Sequence, residues 1–251
     1  MNVCILTTDD NFYLGNLLKK LSFSKKYKFS YIFIKEHDIK ISNFKKILVR
    51  LASIGIFQSI KYFSKDLLIR LQKKDIINFL REKEKKILII KSIKDKNIRN
   101  FLKKNQISLL LSINFPKKIP LKILKLQKYG GINVHLGKLP EFKGLYPVIR
   151  MLIAGEKYCF ITIHRMIDKI DCGKILKEKK IFVKRGQNLI IIYQKLFKES
   201  EKIIYQSIKS IMSNTFLKKK KSKGNYYGQP SGFEILKIIR YTFFNKIYEY
   251  K

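Results

Sequence analysis

The chain has 251 residues, 46% of them apolar, and 55 Lys and Arg against 18 Asp and Glu give a formal net charge of +37. That apolar fraction excludes a disordered basic tail as the main body. Cys4, Cys159 and Cys172 are odd in number, far apart and without a C-x-x-C, which excludes a zinc ribbon and a disulfide framework.

Residues 3–6 predict a first strand, and Asp10 is placed to cap a following helix with one face of Phe12, Leu14, Leu17, Leu18 and Leu21. A second strand is expected at 29–34. Residues 41–82 then carry no strand pattern. The spacing of Phe44, Ile47, Leu48 and Leu51 is helical, so this segment reads as a helical insertion or an elongated crossover. It either packs on the sheet or, as a basic amphipathic stretch, lies on a membrane surface. Further strands are expected at 86–90, 108–113 and 132–135, with a polar helix near 94–104. Gly137, Pro140, Gly144, Pro147 and Gly155 punctuate a loop region. Strands at 160–166 and 175–183 follow, then a long helix at 189–212 and a solvated basic loop at 218–223. A capping box from Ser231 to Glu234 opens a last helix that runs to about Tyr248.

Strands alternating with helices define an α/β class. The expected architecture is Rossmann-like, with a mostly parallel sheet, helices on both faces, the helical insertion and a C-terminal helical extension. Residues 1–200 read as one catalytic domain and 201–251 as the extension. No stretch reaches the ~20 apolar residues of a spanning helix, and the N-terminus lacks the basic region of a signal peptide. A reduced, cytoplasmic protein without a membrane span is expected.

The charge invites a nucleic-acid reading. Yet 47 Lys stand against 8 Arg, and Arg is the residue of bidentate phosphate and base recognition. Lys is spread along the whole chain, together with abundant Ile and Asn and no Trp. This pattern points to an AT-rich coding background. A basic RNA-binding protein without catalysis remains the second reading. No G-x-G-x-x-G follows a strand, and no P-loop, H-E-x-x-H or G-x-S-x-G occurs. Three His exclude a His-rich metal site, so no metal is expected.

The informative segment is Gly131-Ile132-Asn133-Val134-His135. Strand alternation puts Asn133 and His135 on one face, with Ile132 and Val134 on the other. An amide and an imidazole at the carboxyl end of such a strand can stabilise one developing oxyanion. The stretch continues Leu136-Gly137-Lys138-Leu139-Pro140-Glu141-Phe142-Lys143-Gly144. It resembles the signature of the folate-dependent formyltransferases, approximately N-x-H-x-[SG]-x-L-P-x-[YF]-[RK]-G. Ile167-Asp168-Lys169-Ile170-Asp171-Cys172-Gly173 resembles that family's D-x-G turn, and Gly155-Glu156 and residues 162–166 resemble the helix and strand between. The resemblance spans residues 84–200 well and 1–40 only as a strand–helix–strand pattern.

The resemblance implies that Asn133, His135 and Asp171 are catalytic and that a formyl group passes from N10-formyltetrahydrofolate to an amine. Asn133 and a protonated His135 would stabilise the tetrahedral oxyanion. Asp171 would favour the imidazolium or take the amine proton. Two loops resemble the folate pocket: Ile113, Asn114, Phe115 and Pro116, and Met166, Ile167, Asp168 and Ile170. Lys143 and Tyr146 are the substrate-binding candidates. Lys138 departs from a usually apolar position and Lys143 from a frequent Arg. Cys172 reads as a filler and His164 as a packing residue.

The family uses several acceptors. About fifty residues follow Ser200, too few for the barrel of the methionyl-tRNA enzymes. Glycinamide ribonucleotide enzymes lack this tail and the 41–82 segment. Asn225-Tyr226-Tyr227-Gly228-Gln229-Pro230-Ser231 resembles the ending of formyltransferases of surface-polysaccharide synthesis. An anionic, nucleotide-linked amino sugar is therefore the expected partner, with a methionyl-tRNA formyltransferase-like enzyme as the alternative. Ile235, Ile238, Ile239, Phe243 and Phe244 supply apolar surface either for a homodimer or for a cap on the sheet.

Overall fold

The computed structural model describes residues 1–35, 43–184, 187–217 and 224–249. The chain opens with β1 (Asn2–Thr8), α1 (Gly15–Ser22) and β2 (Lys28–Ile34). Three helices follow, α2 (Asn43–Ile54), α3 (Ile56–Leu71) and α4 (Ile76–Glu82), and lead into β3 (Ile87–Ile90). Next come α5 (Asn97–Lys104), β4 (Leu109–Ile113), α6 (Leu121–Leu124), β5 (Gly131–His135), β6 (Phe142–Gly144) and α7 (Pro147–Ile153). The chain ends with β7 (Tyr158–Arg165), β8 (Ile175–Phe182), α8 (Leu189–Met212), β9 (Asn225–Tyr227) and α9 (Gly232–Glu249).

Among the described residues, seven strands form one sheet in the order β3-β2-β1-β4-β5-β7-β8. The first five are parallel, while β7 runs antiparallel to β5 and β8 antiparallel to β7. The α/β class and mostly parallel sheet expected from the sequence are those observed. The central strands read as unbroken apolar runs because both faces are covered. Val3 and Ile5 of β1 join the α1, α4 and α8 side of the core, and Cys4 and Leu6 join the α5 and α6 side. The helices of residues 43–82 link parallel β2 to β3, so this segment is an elongated crossover.

Two local expectations are corrected. Asp10 does not cap α1; its Oδ1 accepts the Phe12 and Tyr13 amides at 2.8 Å each, holding a turn that precedes the helix. The short elements α6, β6 and β9 went unpredicted, and the small helix expected at Gly155-Glu156 is α7, which ends at Ile153. β6 and β9 are three residues long and pair only with each other, Phe142 to Asn225 through Gly144 to Tyr227, so no local periodicity announces them.

The predicted capping box is present: the Ser231 amide donates to Glu234 Oε2 at 2.8 Å and the Glu234 amide to Ser231 Oγ at 3.3 Å. α8 passes residue 200 without a break and buries Leu196, Ile203 and Ile208 in one core. Ile238 of α9 packs with Val49, Ala52 and Ile149, while Ile239 is exposed. The basic run at 218–223 and the side chains of Phe44, Ile47, Phe243 and Phe244 lie outside the described residues. No helix among those described is long and apolar enough to cross a membrane.

Candidate active site

β5 ends among the carboxyl ends of the parallel strands, where open α/β sheets place their ligands. Its Ile132 and Val134 point into the core beside α8. Alternation leaves Asn133 and His135 on the opposite face. β7 lies antiparallel to β5 and sets His164 directly across from Asn133. The loop after β7 then carries Asp171 back over this face.

Asp171 is the centre of the cluster. Its Oδ2 lies 3.6 Å from His135 Nδ1 and its Oδ1 3.2 Å from His164 Nε2. The Gly144 amide donates to Oδ2 at 2.8 Å. His135 Nε2 donates to the Phe142 carbonyl at 2.7 Å. His164 Nδ1 faces the Arg165 carbonyl at 3.0 Å, and the Asn133 amide nitrogen lies 3.3 Å from His164 Nε2. Asn133, His135 and Asp171, distant in sequence, are thus brought together, and His164 joins them.

The turn needs its glycines. Asp171 adopts φ +52°, and a Cβ on Gly173 would lie 1.7 Å from the Arg165 carbonyl oxygen. A Cβ on Gly137 would lie 2.6 Å from His135 Nε2. The first approach holds the Asp171 turn against the β7 backbone, and the second brings the chain up against the His135 ring.

Burial and charge oppose each other here. Two imidazoles and the Gly144 amide hold the Asp171 carboxyl down at about 2, against its burial. Burial depresses the pKa of His135, and the nearby carboxylate and the Phe142 carbonyl offset this only in part. The expectation of a resting imidazolium is therefore corrected: desolvation outweighs the charge pairing. The packing role expected of His164 is only part of its setting. It is buried, but its ring nitrogens both face oxygen acceptors. The available signal was alternation in β7, which puts Thr162 and His164 on one face between Ile161 and Ile163.

These shifts set a pH dependence. Folded His135 binds its proton less tightly than unfolded His135, so the unfolded chain takes up more protons below 6.5. Stability should therefore fall as pH drops from 7 to 5, by up to ~1.4 kcal/mol per unit from this group. The Asp171 contribution is present above the ordinary carboxyl value of 3.8 and is lost as pH falls toward about 2. Urea melts at pH 7 and 5 should show the first effect, and His135→Asn should flatten it.

The two loops assigned to folate adjoin. Phe115 and Met166 pack on the same core cluster, and Lys118 Nζ meets Asp168 Oδ1 at 2.7 Å. Asn114 is exposed with φ +53° and donates to Thr8 Oγ1 at 3.4 Å. Ile167 and Ile170 are 41% and 44% exposed and form an apolar rim. Pro116 is half-buried. Ile113 is fully buried in the core, so only its backbone can face a ligand. Lys143 lies on β6 beside Gly144, and Tyr146 begins α7 with φ +56°. Among the described residues no group of three His, Cys, Asp or Glu is placed to hold a metal.

The formyl transferase family matches residues 59–208, more than half of the chain. The chain belongs to that family. Methionyl-tRNA formyltransferase of Caldicellulosiruptor saccharolyticus is 33% identical over 125 residues, 50% of this chain and 40% of that protein. The matched stretch is thus less than half of that relative's length. A sugar N-formyltransferase from a Shewanella species shares the fold with a TM-score of 0.57 at 16% identity, covering 96% of this chain and 87% of that one. Phosphoribosylglycinamide formyltransferase of Bacillus halodurans does so with a TM-score of 0.59 at 13% identity, covering 87% and 100%.

Proposed function

We propose that the protein transfers a formyl group from N10-formyltetrahydrofolate to a primary amine, most readily on a nucleotide-linked amino sugar. The observation that carries this reading is Asp171 held between two buried imidazoles, beside Asn133, in a chain of the formyl transferase family. The folate is a substrate, consumed in each turnover. The loops at 113–116 and 166–170 suit its ring by their apolar rim and the exposed backbone at Asn114.

The residues divide the work. His164 Nε2 donates to Asp171, so that nitrogen has no lone pair for Asn133. The Asn133 amide hydrogens are left for the formyl oxygen. As the amine nitrogen attacks the formyl carbon, the C=O bond opens to an oxyanion and Asn133 stabilises it. Loss of one such donor costs ~2.7–4 kcal/mol of barrier. His135 is neutral at rest, with its proton on Nε2. In this reading its Nδ1, which lies 3.6 Å from Asp171 Oδ2, takes the amine proton, and Asp171 steadies the imidazolium that forms. The proton then passes to N10 as the carbon–N10 bond breaks. A formamide and tetrahydrofolate leave.

His164 acts through Asp171 as a positioning residue. Its removal takes away a donor that lowers the Asp171 pKa. His164 also lowers the pKa of His135, so His164→Leu should move the acidic limb of the pH–rate profile, which reports the His135 base, upward as well as lower the rate. A lower rate with an unmoved limb would assign His164 to packing alone.

Two features support a sugar nucleotide as acceptor. The tail from Asn225 packs on the site loop through β6 and β9, and the likeness to the Shewanella sugar enzyme extends over 96% of this chain. A positive field also favours anionic substrates. The sequence match to a methionyl-tRNA enzyme keeps charged tRNA as the second reading. Incubation with N10-formyltetrahydrofolate, a panel of amino-sugar nucleotides, glycinamide ribonucleotide and methionyl-tRNA decides between them. Formylation of a sugar amine is expected. Formylation of tRNA alone would replace the acceptor, and no transfer to any amine would remove the reading.

A further inference from the structure

We propose that α3 docks this chain on an anionic membrane surface. Ile56, Phe57, Ile60, Phe63, Leu67 and Leu71 of this helix are 55–86% exposed. At 100° per residue they fall within about 120° of arc, along a helix ~24 Å long. Exposed apolar patches on monomers rarely exceed a few hundred Å², and six large side chains more than half exposed surpass that. The helix is held from its other side, where Tyr62 and Ser59 are buried.

Charge selects the occupant. Lys61 and Lys65 are exposed along one flank of the arc, and Lys73 and Lys74 are exposed just beyond its end. Asp66 is the acidic residue of the helix, and its carboxylate is engaged by Arg70 Nε at 2.6 Å and Asn11 Nδ2 at 3.0 Å. The rim is therefore positive. A second copy would bring the same lysines and another +37 against it. An anionic bilayer offers the opposite charge and an apolar layer together. Lys61 and Lys65 also line a cleft of about 280 Å³ between α3 and the start of α8, with Gln58, Asn188 and Gln194 as polar walls. No residue of this face belongs to the cluster around Asp171.

The chain has no Trp, so Phe57→Trp is a clean reporter. Its emission should move to shorter wavelength on adding vesicles of equal parts phosphatidylglycerol and phosphatidylcholine, and stay unmoved with phosphatidylcholine alone. Flotation at about 0.5 M salt, where charge attraction is screened within roughly 4 Å, should retain the wild type. The combined variant Phe57→Ser, Phe63→Ser and Leu67→Ser keeps the charge and should lose more than about tenfold in retention. Lys61→Gln with Lys65→Gln should weaken binding at low salt more than Lys103→Gln with Lys104→Gln in α5. Equal retention of the serine variant, or equal loss in the two lysine pairs, would show bulk charge alone and overturn the proposal. So would a Trp already at short wavelength without lipid in a chain of doubled mass, which assigns the face to a second copy. Binding to an acidic protein without any vesicle response would overturn it as well.

Discussion

Asp171→Asn should lower formyl transfer by about 10³-fold or more, which corresponds to ~4 kcal/mol of barrier at 1.36 kcal/mol per decade. The side chain keeps its shape but loses its charge. The carboxylate accepts from Gly144, meets His164 at 3.2 Å and faces His135 Nδ1 at 3.6 Å. An amide cannot accept at both ends. Its NH₂ must oppose the Gly144 amide on one side, or His164 on the other. A proton arriving at His135 Nδ1 would also find no negative charge, while the burial that already depresses this imidazole would remain. The test is single-turnover transfer followed by tetrahydrofolate formation, with folate affinity measured separately. A tenfold loss or less would assign proton transfer elsewhere.

Arg150→Ala should destabilise the fold by ~3 kcal/mol, at the low end of the range for a broken buried ion pair. Arg150 is 3% exposed on α7, and its Nη1 pairs with the Glu234 carboxylate of α9. Glu234 is 30% exposed, so water recovers part of the loss once the arginine is gone. Arg150 Nη2 also reaches the Gly228 carbonyl at 3.4 Å, and the guanidinium lies 5.0 Å from the Tyr227 ring centroid. Tyr227 in turn stacks on Phe142 at 5.9 Å. One side chain thus fastens the tail to the loop that holds Asp171. A chain of this length should lose ~6–12 °C in melting temperature, and activity should fall more than unfolding explains. An unchanged melting temperature would place the tail's anchor elsewhere. Arg150→Met separates lost packing from lost charge.

What the sequence disclosed follows physical lines. The long helix at 189–212 was legible residue for residue, because its apolar spacing and the Asn188 cap, accepting the Ile190 amide at 2.8 Å, are both local. The inner strands were legible because burial on both faces leaves continuous apolar runs. Asn133, His135 and Asp171 could be singled out through the resemblance to the family's motifs, and the structure brings them into one cluster with His164. The β6–β9 pair was hidden because each partner is three residues long and the register joins Phe142 to Asn225. His164 was hidden because its meaning depends on the cross-strand register opposite Asn133. The resting charge of His135 was unreadable in principle, since it is set by how deeply the ring is buried.

Gly144 gathers these threads. Its amide holds the Asp171 carboxylate, and a Cβ there would lie 2.2 Å from the Tyr227 carbonyl oxygen. One peptide unit therefore touches the reacting group on one side and the C-terminal tail on the other. A change in the tail that shifts Tyr227 would loosen the hydrogen bond on Asp171 and let its proton affinity climb. Substitutions along residues 225–234 can therefore reach the Asp171 carboxylate through the backbone of Gly144 without entering the cluster itself.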